Sequence, residues 1–255
     1  MQIRILGCSG GIAAGMRTSA ILVDNDVLID AGTGIGDLTL DDLQSIRHVF
    51  LTHAHLDHVA GLPLLIDCIF SENLDMPVTV YGRRETLDAI RKHIFNWVIW
   101  PDFAELPSRQ NAVLHYRECN PGDTIRIGHK DFHAIDVAHT VPAMGYTVQN
   151  SGGAFAVSGD TRTNETLWPV LNACDDLRAL VIEVSFPDEQ CELAAMSGHY
   201  CPQTVAGDLV KLRHFPDIWL TGMKPGAEQR ILDQVTASLP DRNVRMLERG
   251  TTILI

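Results

Sequence analysis

Six residues, His53-Ala54-His55-Leu56-Asp57-His58, follow directly on the apolar stretch Arg47–Thr52 and constrain the chain more than any other part of it. In an extended chain, residues i and i+2 point to the same side. His53 and His55 can therefore share one metal ion. The chain then turns, and Asp57 and His58 can face a second ion beside the first. Three imidazoles and a carboxylate are the nitrogen and oxygen donors that zinc or manganese accepts. The plainer alternative is a polar strand end facing solvent. Four potential ligands this densely placed at a strand-to-helix junction favour the metal. A two-ion centre needs further donors, and these should arrive at the ends of later strands.

Two candidates do. The strand Phe132–Ala138 runs into His139, and Ala154–Val157 runs into Ser158-Gly159-Asp160-Thr161. A carboxylate such as Asp160 has two oxygens and can bridge two cations. Taken singly, a strand-end histidine is more often structural, and an aspartate in Gly-Asp-Thr is more often a turn residue. Beside the cluster, both read as ligands.

The remaining pattern places this junction in a layered domain. Strands are expected at Gln2–Leu6, Ser19–Val23, Val27–Asp30, Val78–Tyr81, Leu180–Val184 and Ile218–Thr221. Helices are expected near Asp37–Ser45, Val59–Phe70, Arg84–Phe95, Pro202–Arg213 and Ala227–Leu239. A hairpin first, then alternating strands and helices, predicts an α/β or α+β fold. The 255 residues suit one well-buried domain, 1–255, and are short for two. An aromatic-rich insertion near 93–118, with Phe95, Trp97, Trp100 and Phe103, is expected over a substrate pocket or at a subunit contact. The glycine-rich Gly7–Gly11 has no lysine of a phosphate loop and reads as a tight turn passing beneath the metal site.

Twenty Lys+Arg against thirty-two Asp+Glu leave a net charge of −12. Such a surface repels nucleic acid, which therefore counts as an improbable partner. No apolar run approaches the ~18 residues of a membrane span, and no export signal is visible. The six cysteines form no Cys-x-x-Cys pair. A cytoplasmic protein with reduced thiols is the expectation.

The motif His53-Ala54-His55-Leu56-Asp57-His58, with His139 and Asp160 after it, resembles the metallo-β-lactamase fold superfamily. The resemblance implies a four-layer αββα sandwich with metals at one edge of the sheets. Within the superfamily, His53–Leu62, Phe95–Phe103, Val181–Glu192, Ser197-Gly198-His199 and Lys224-Pro225 are similar to class II cyclic-nucleotide phosphodiesterases. Ribonuclease Z shares the core motif. The resemblance implies one metal on His53, His55 and His139, a second on Asp57 and His58, and Asp160 between them. It also implies a further histidine in a Thr-His-x-Lys-Pro segment, which here reads Thr221-Gly222-Met223-Lys224-Pro225. Gly222 thus stands at a missing ligand position. The expectation is up to two ions, Zn²⁺ or Mn²⁺, with a weak second site.

In the resembling enzymes the counterpart of His199 faces phosphate, where it would stabilise negative charge or protonate a leaving oxygen. A helix-capping loop histidine is the plain alternative. Lys224 is either a phosphate-binding point charge or a solvated lysine. Glu183 is either a partner behind a ligand imidazole or a strand-end charge. Together the residues point to a metal-dependent phosphodiesterase. It would hydrolyse a small 3′,5′-cyclic nucleotide such as cyclic AMP by attack of metal-bound hydroxide on phosphorus. Asp57 would orient the nucleophile, and His199 or metal would help the 3′ oxygen leave. Two alternatives stand beside it. One is a ribonuclease Z-like RNA endonuclease, against which the net charge counts. The other is a nucleotide-binding protein whose turnover is impaired by Gly222. A homodimer remains open.

Overall fold

The computed structural model describes residues 1–71 and 76–255. The first half contains β1 (Gln2–Gly7), β2 (Ala20–Val23), β3 (Val27–Ile29), α1 (Leu40–Ser45) and β4 (His48–Phe50). Then come α2 (Leu56–Val59), α3 (Leu62–Cys68), β5 (Val78–Gly82), α4 (Arg84–His93) and β6 (Leu114–Glu118). The second half contains β7 (Thr124–Ile127), β8 (Lys130–Val137), β9 (Ala143–Asn150), β10 (Gly153–Val157), α5 (Leu167–Asn172) and β11 (Leu177–Glu183). It closes with α6 (Cys191–Ser197), α7 (Pro202–Leu209), β12 (Asp217–Thr221), α8 (Glu228–Ser238), β13 (Val244–Met246) and β14 (Thr252–Leu254).

The strands form two seven-stranded mixed sheets, β14-β1-β2-β3-β4-β5-β6 and β13-β12-β11-β10-β9-β8-β7. Strands β3 to β6 run parallel, as do β10 to β13, and the remaining neighbours are antiparallel. The period of two sorts each strand's side chains between layers. In β1 to β3, Ile3, Ile5, Ile21, Val23, Val27 and Ile29 enter the layer between the sheets. Leu6, Ala20, Leu22 and Leu28 face the other way, onto α3 and α4. Strands covered on both faces need apolar residues at nearly every position, which is why these segments read as continuous runs. Across the middle layer, Phe50 stacks on Tyr81 and on Phe132, each with ring centroids 4.4 Å apart. A third apolar layer lies between the second sheet and α5, α7 and α8. The four-layer αββα sandwich expected from the sequence is the observed architecture.

Several details differ from expectation. The helix placed at Val59–Phe70 is two helices, broken at Gly61, where a Cβ would lie 2.6 Å from the Ile35 side chain. Strand β9 went unread because glycine and polar residues (Gly145, Thr147, Gln149) interrupt its apolar pattern. The aromatic insertion divides between the core and the surface. Phe95 and Phe103 are buried in the core beneath the first sheet, and Trp100 packs against it. Trp97, Val98 and Ile99 stand out into solvent, Trp97 being 58% exposed. Cys191 and Cys201 form a disulfide, against the expectation of reduced thiols. They lie ten positions apart, with no sequence signature. The reversal at Gly198, whose φ is 76°, helps bring their Cα atoms to 5.5 Å. Among the described residues, no helix is long and apolar enough to cross a membrane.

Candidate metal centre

The histidine cluster lies where β4 ends, and the ends of β8, β10, β11 and β12 meet it from the other sheet. Asp30, directly after β3, organises the first-sheet side. Its left-handed backbone (φ 58°) is uncommon outside glycine, though aspartate adopts it more readily than most residues. Its carboxylate accepts hydrogen bonds from the Thr52 backbone N–H at 2.8 Å and the Thr52 hydroxyl at 2.9 Å. His58 Nδ1 lies 2.6 Å from Asp30 Oδ2. An ionised carboxylate only accepts, so Nδ1 carries the proton and donates it. His58 Nε2 is thereby left facing Asp160 Oδ1 at 3.4 Å and Asp57 Oδ2 at 3.9 Å. Sequence reasoning read Asp30 only as a strand terminus. An acid ending the apolar run Val27-Leu28-Ile29 was the available signal.

The same accounting fixes His53. The Thr52 hydroxyl spends its hydrogen on Asp30, so His53 Nδ1, 3.0 Å away, is the donor to it. His53 Nε2 then carries a lone pair, and that atom is buried with no hydrogen-bond partner. His139 donates Nδ1–H to the Gly198 carbonyl at 2.9 Å, which likewise turns an unprotonated Nε2 inward. That Nε2 lies 3.1 Å from His55 Nδ1. Metal–nitrogen bonds of about 2.0–2.1 Å set two tetrahedral ligands roughly 3.4 Å apart. The donors of His53, His55 and His139 lie within 4.8 Å of one another, as do those of His53, His58 and Asp160. A buried lone pair without a donor, among imidazoles at ligand spacing, fits a divalent cation.

Electrostatics separate the five histidines into two kinds. Burial holds His53 well below the ordinary imidazole range, and it lowers His55 and His139. These stay neutral, the form that ligates a metal. Burial also opposes charge on His58, but Asp160 and Asp30 outweigh it and raise His58 well above its usual value. Asp160 responds in kind: burial works against its charge, and His58 overrides that and holds it well below the carboxylate range. His199 is raised despite burial, because Glu183 Oε1 lies 2.9 Å from its Nδ1. Burial raises Glu183 itself.

A cavity beside Asp57, His58 and Asp160 is lined by Ser9, Ser185, Gly222 and Lys224. Gly222 takes φ 72° there, and a Cβ on it would meet only Glu183 Cβ at 3.4 Å and Ser185 Oγ at 3.7 Å. The turn after β1 runs alongside: a Cβ at Gly10 would lie 2.1 Å from the Gly222 carbonyl oxygen. The backbone passes so close that glycine is required, as the tight-turn expectation held. Lys224 reaches back over this turn, donating from Nζ to the Gly10 carbonyl at 2.8 Å. Ser185, which sequence reasoning did not single out, donates to the Gly222 carbonyl at 3.0 Å and touches His199 Nδ1 at 3.2 Å. Of the predicted site residues, His53, His55, His58, His139, Asp160 and His199 converge. Asp57, Gly222 and Lys224 line the adjoining cavity. His214 contacts the Asn172 carbonyl on α5 instead of joining them.

Residues 25–211 match the family described as beta-lactamase superfamily domain. A probable 3′,5′-cyclic-nucleotide phosphodiesterase of Yersinia pestis is 27% identical over 257 residues, covering 84% of this chain and 73% of that protein. A ribonuclease Z of Clostridium beijerinckii is 30% identical over 162 residues, covering 57% of this chain and 48% of that protein. The crystal structure of unliganded yeast PDE1 superposes with a TM-score of 0.82 at 20% identity, covering 100% of this chain and 99% of that one. Its fold is the one found here. With its family model spanning most of the sequence and a ligand-spaced histidine cluster at the sheet edge, the chain belongs to the beta-lactamase superfamily and is a metallo-β-lactamase-fold hydrolase.

Proposed function

We propose that this chain is a phosphodiesterase acting on a small 3′,5′-cyclic nucleotide such as cyclic AMP. The observation that carries the reading is the His199–Glu183 pair at the rim of the metal-ligand cluster. It is an acid positioned for a leaving oxygen, next to a cavity that Lys224 lines. His53, His55 and His139 would hold one zinc or manganese ion. His58, Asp57 and Asp160 would hold a second, more weakly, because Gly222 supplies no donor and because an ion there must displace the proton that Asp160 and Asp30 favour on His58. A bound divalent cation supplies Lewis acidity toward a phosphoryl oxygen and lowers the pKa of water.

The chain's own groups do the rest. Lys224 places a positive charge beside the phosphate. Asp57 accepts a hydrogen bond from the attacking water and aligns it with phosphorus. The water oxygen bonds to phosphorus as the bond to the 3′ oxygen breaks. His199 spends Nδ1–H on Glu183, so Nε2 is the nitrogen free to give a proton to the departing 3′ oxygen. Glu183 supports the imidazolium, which is the form an acid needs. A nucleotide-sized substrate also suits the net charge of −12, which opposes a long polyanion.

The test is turnover of 3′,5′-cyclic AMP to 5′-AMP by the full chain with added Zn²⁺ or Mn²⁺. Bis(p-nitrophenyl) phosphate and a structured precursor RNA are assayed in parallel. Cyclic AMP hydrolysis that falls sharply in His199→Ala is the expected result. RNA cleavage without cyclic AMP turnover would overturn it in favour of a ribonuclease Z-like activity.

A further inference from the structure

One covalent bond closes the segment that carries His199. Cys191 opens α6, Cys201 caps α7, and their sulfurs are joined across ten residues. Within that span lie α6, the reversal at Gly198, and His199. Little else holds α6 down. Ala194 is its one buried residue, while Leu193 and Met196 face solvent at 48% and 81% exposure. The disulfide packs with Ala194 and Phe186 in a small cluster separate from the three main apolar layers. Two groups of the metal centre depend on this segment: the His199 ring, and the Gly198 carbonyl that orients His139.

We propose that the Cys191–Cys201 disulfide is a redox-sensitive fastening of the segment that presents His199. Opening it frees α6 and the turn at Gly198 to loosen against the buried anchor Tyr200, shifts His199 between them, and lowers turnover at the adjoining site. The link to turnover rests on the phosphodiesterase role given to His199 above; the loosening does not.

The two sulfurs are unequal. Cys191 is half-exposed, whereas Cys201 is 1% exposed. An incoming thiolate of the glutathione or dithiol-protein class therefore reaches Cys191 Sγ. A bond forms between that thiolate and Cys191, and the Cys191–Cys201 bond breaks with its electron pair on Cys201. Cys201 Sγ sits at the N-terminus of α7, 3.4 Å from the Thr204 hydroxyl. A helix N-terminus stabilises a thiolate, which makes Cys201 the better leaving sulfur. A second reductant thiolate then attacks the reductant's own sulfur in the mixed disulfide, and the bond to Cys191 breaks with its electron pair on Cys191. Two reductant thiols are oxidised to one disulfide, and the two cysteines end as thiols.

The test uses the full chain, loaded with zinc, either oxidised with diamide or reduced with dithiothreitol. Alkylation and intact mass should count four free thiols in the oxidised form, at Cys8, Cys68, Cys119 and Cys174, and six in the reduced form. Amide hydrogen exchange should rise at least ~10-fold across 193–198 on reduction and stay unchanged in β10 and β11. Turnover of 3′,5′-cyclic AMP, whose basic 3′ oxygen needs a proton to leave, should fall about tenfold, a part of what general acid help supplies. Cys191→Ser should show the fast exchange with and without reductant. Six alkylatable thiols in the diamide-treated protein, or equal exchange in both redox forms, would overturn the proposal. If exchange responds while neither form hydrolyses any phosphodiester, the fastening stands and the phosphodiesterase role falls.

Discussion

His199 Nδ1 lies 2.9 Å from Glu183 Oε1, and that carboxylate is 1% exposed. A buried acceptor fixes the ring orientation and the tautomer together, and the pairing raises His199 although burial opposes its charge. His199→Ala should retain its metal and lose about 10²-fold or more in kcat. In the parent protein, kcat should decline as pH rises through the elevated pKa of His199, where the acid loses its proton. Glu183→Gln removes the charge that raises it, so this limb should move to lower pH. A pH–rate profile checks both. Metal loss in His199→Ala would make this histidine a ligand instead.

His53, His55 and His139 present donors at ligand spacing, with one lone pair buried and unpartnered. His55→Ala should therefore cut bound metal sharply. It should also remove the rise in melting temperature that added Zn²⁺ gives the parent, since an ion bound only by the folded state stabilises it. Metal analysis after dialysis, with thermal melts, reads both. An unchanged metal count would remove the assignment.

Gly222→His is expected to do two opposing things. Forcing φ 72° on a side chain costs about 1–2 kcal/mol, so the metal-free variant should be less stable. The space beside Glu183 and Ser185 admits a Cβ at ordinary contact distance. With Mn²⁺ or Zn²⁺ present, second-site affinity should rise by at least the ~10–100-fold tied to a lost supporting partner, and turnover should rise with it. Urea titrations with and without metal, and calorimetric metal titration, separate the two effects. Two tightly held metals in the parent would mean another residue already fills the role.

The buried Lys130 of β8 ties the sheets together, with Nζ 2.9 Å from Asp24 and 2.8 Å from Asp26 in the β2–β3 turn. Burial works against the charge on Asp24, but the Gln2 N–H and Lys130 outweigh it and hold Asp24 below its ordinary value. Its contribution is thus complete above the unfolded value of ~3.9 and is lost as pH falls through the lowered folded value. Asp24→Asn should cost about 1–3 kcal/mol at pH 7 and progressively less in acid. Urea midpoints between pH 7 and pH 3 test this.

How much was legible varied with range along the chain. The His53–His58 ligands sit within six residues, and periodicity alone aims them, so they could be read directly. His139 and Asp160 were readable because each ends an apolar strand. Asp30 and Ser185 were not, because their importance arises only where distant elements meet: Asp30 under Thr52 and His58, and Ser185 against Gly222 and His199. Within the aromatic stretch, Phe95 and Phe103 belong to the core beneath the first sheet while Trp97, Val98 and Ile99 stay exposed, a division that clustering alone does not reveal. The disulfide was invisible for the same reason, since a turn rather than a motif joins its ends.

The left-handed Asp30 has a consequence for assembly. It aligns His58 using only residues that precede Val59, so the β2–β3 hairpin and β4 can preset half of the centre without the second sheet. His139, 84 residues beyond His55, brings the opposing half with its own support from the Gly198 carbonyl. Each sheet thus carries a prefabricated jaw, and neither jaw alone can close on an ion. Ion capture becomes a reporter of the docking of the two sheets, and a chelator should hasten their separation as well as silence the chemistry.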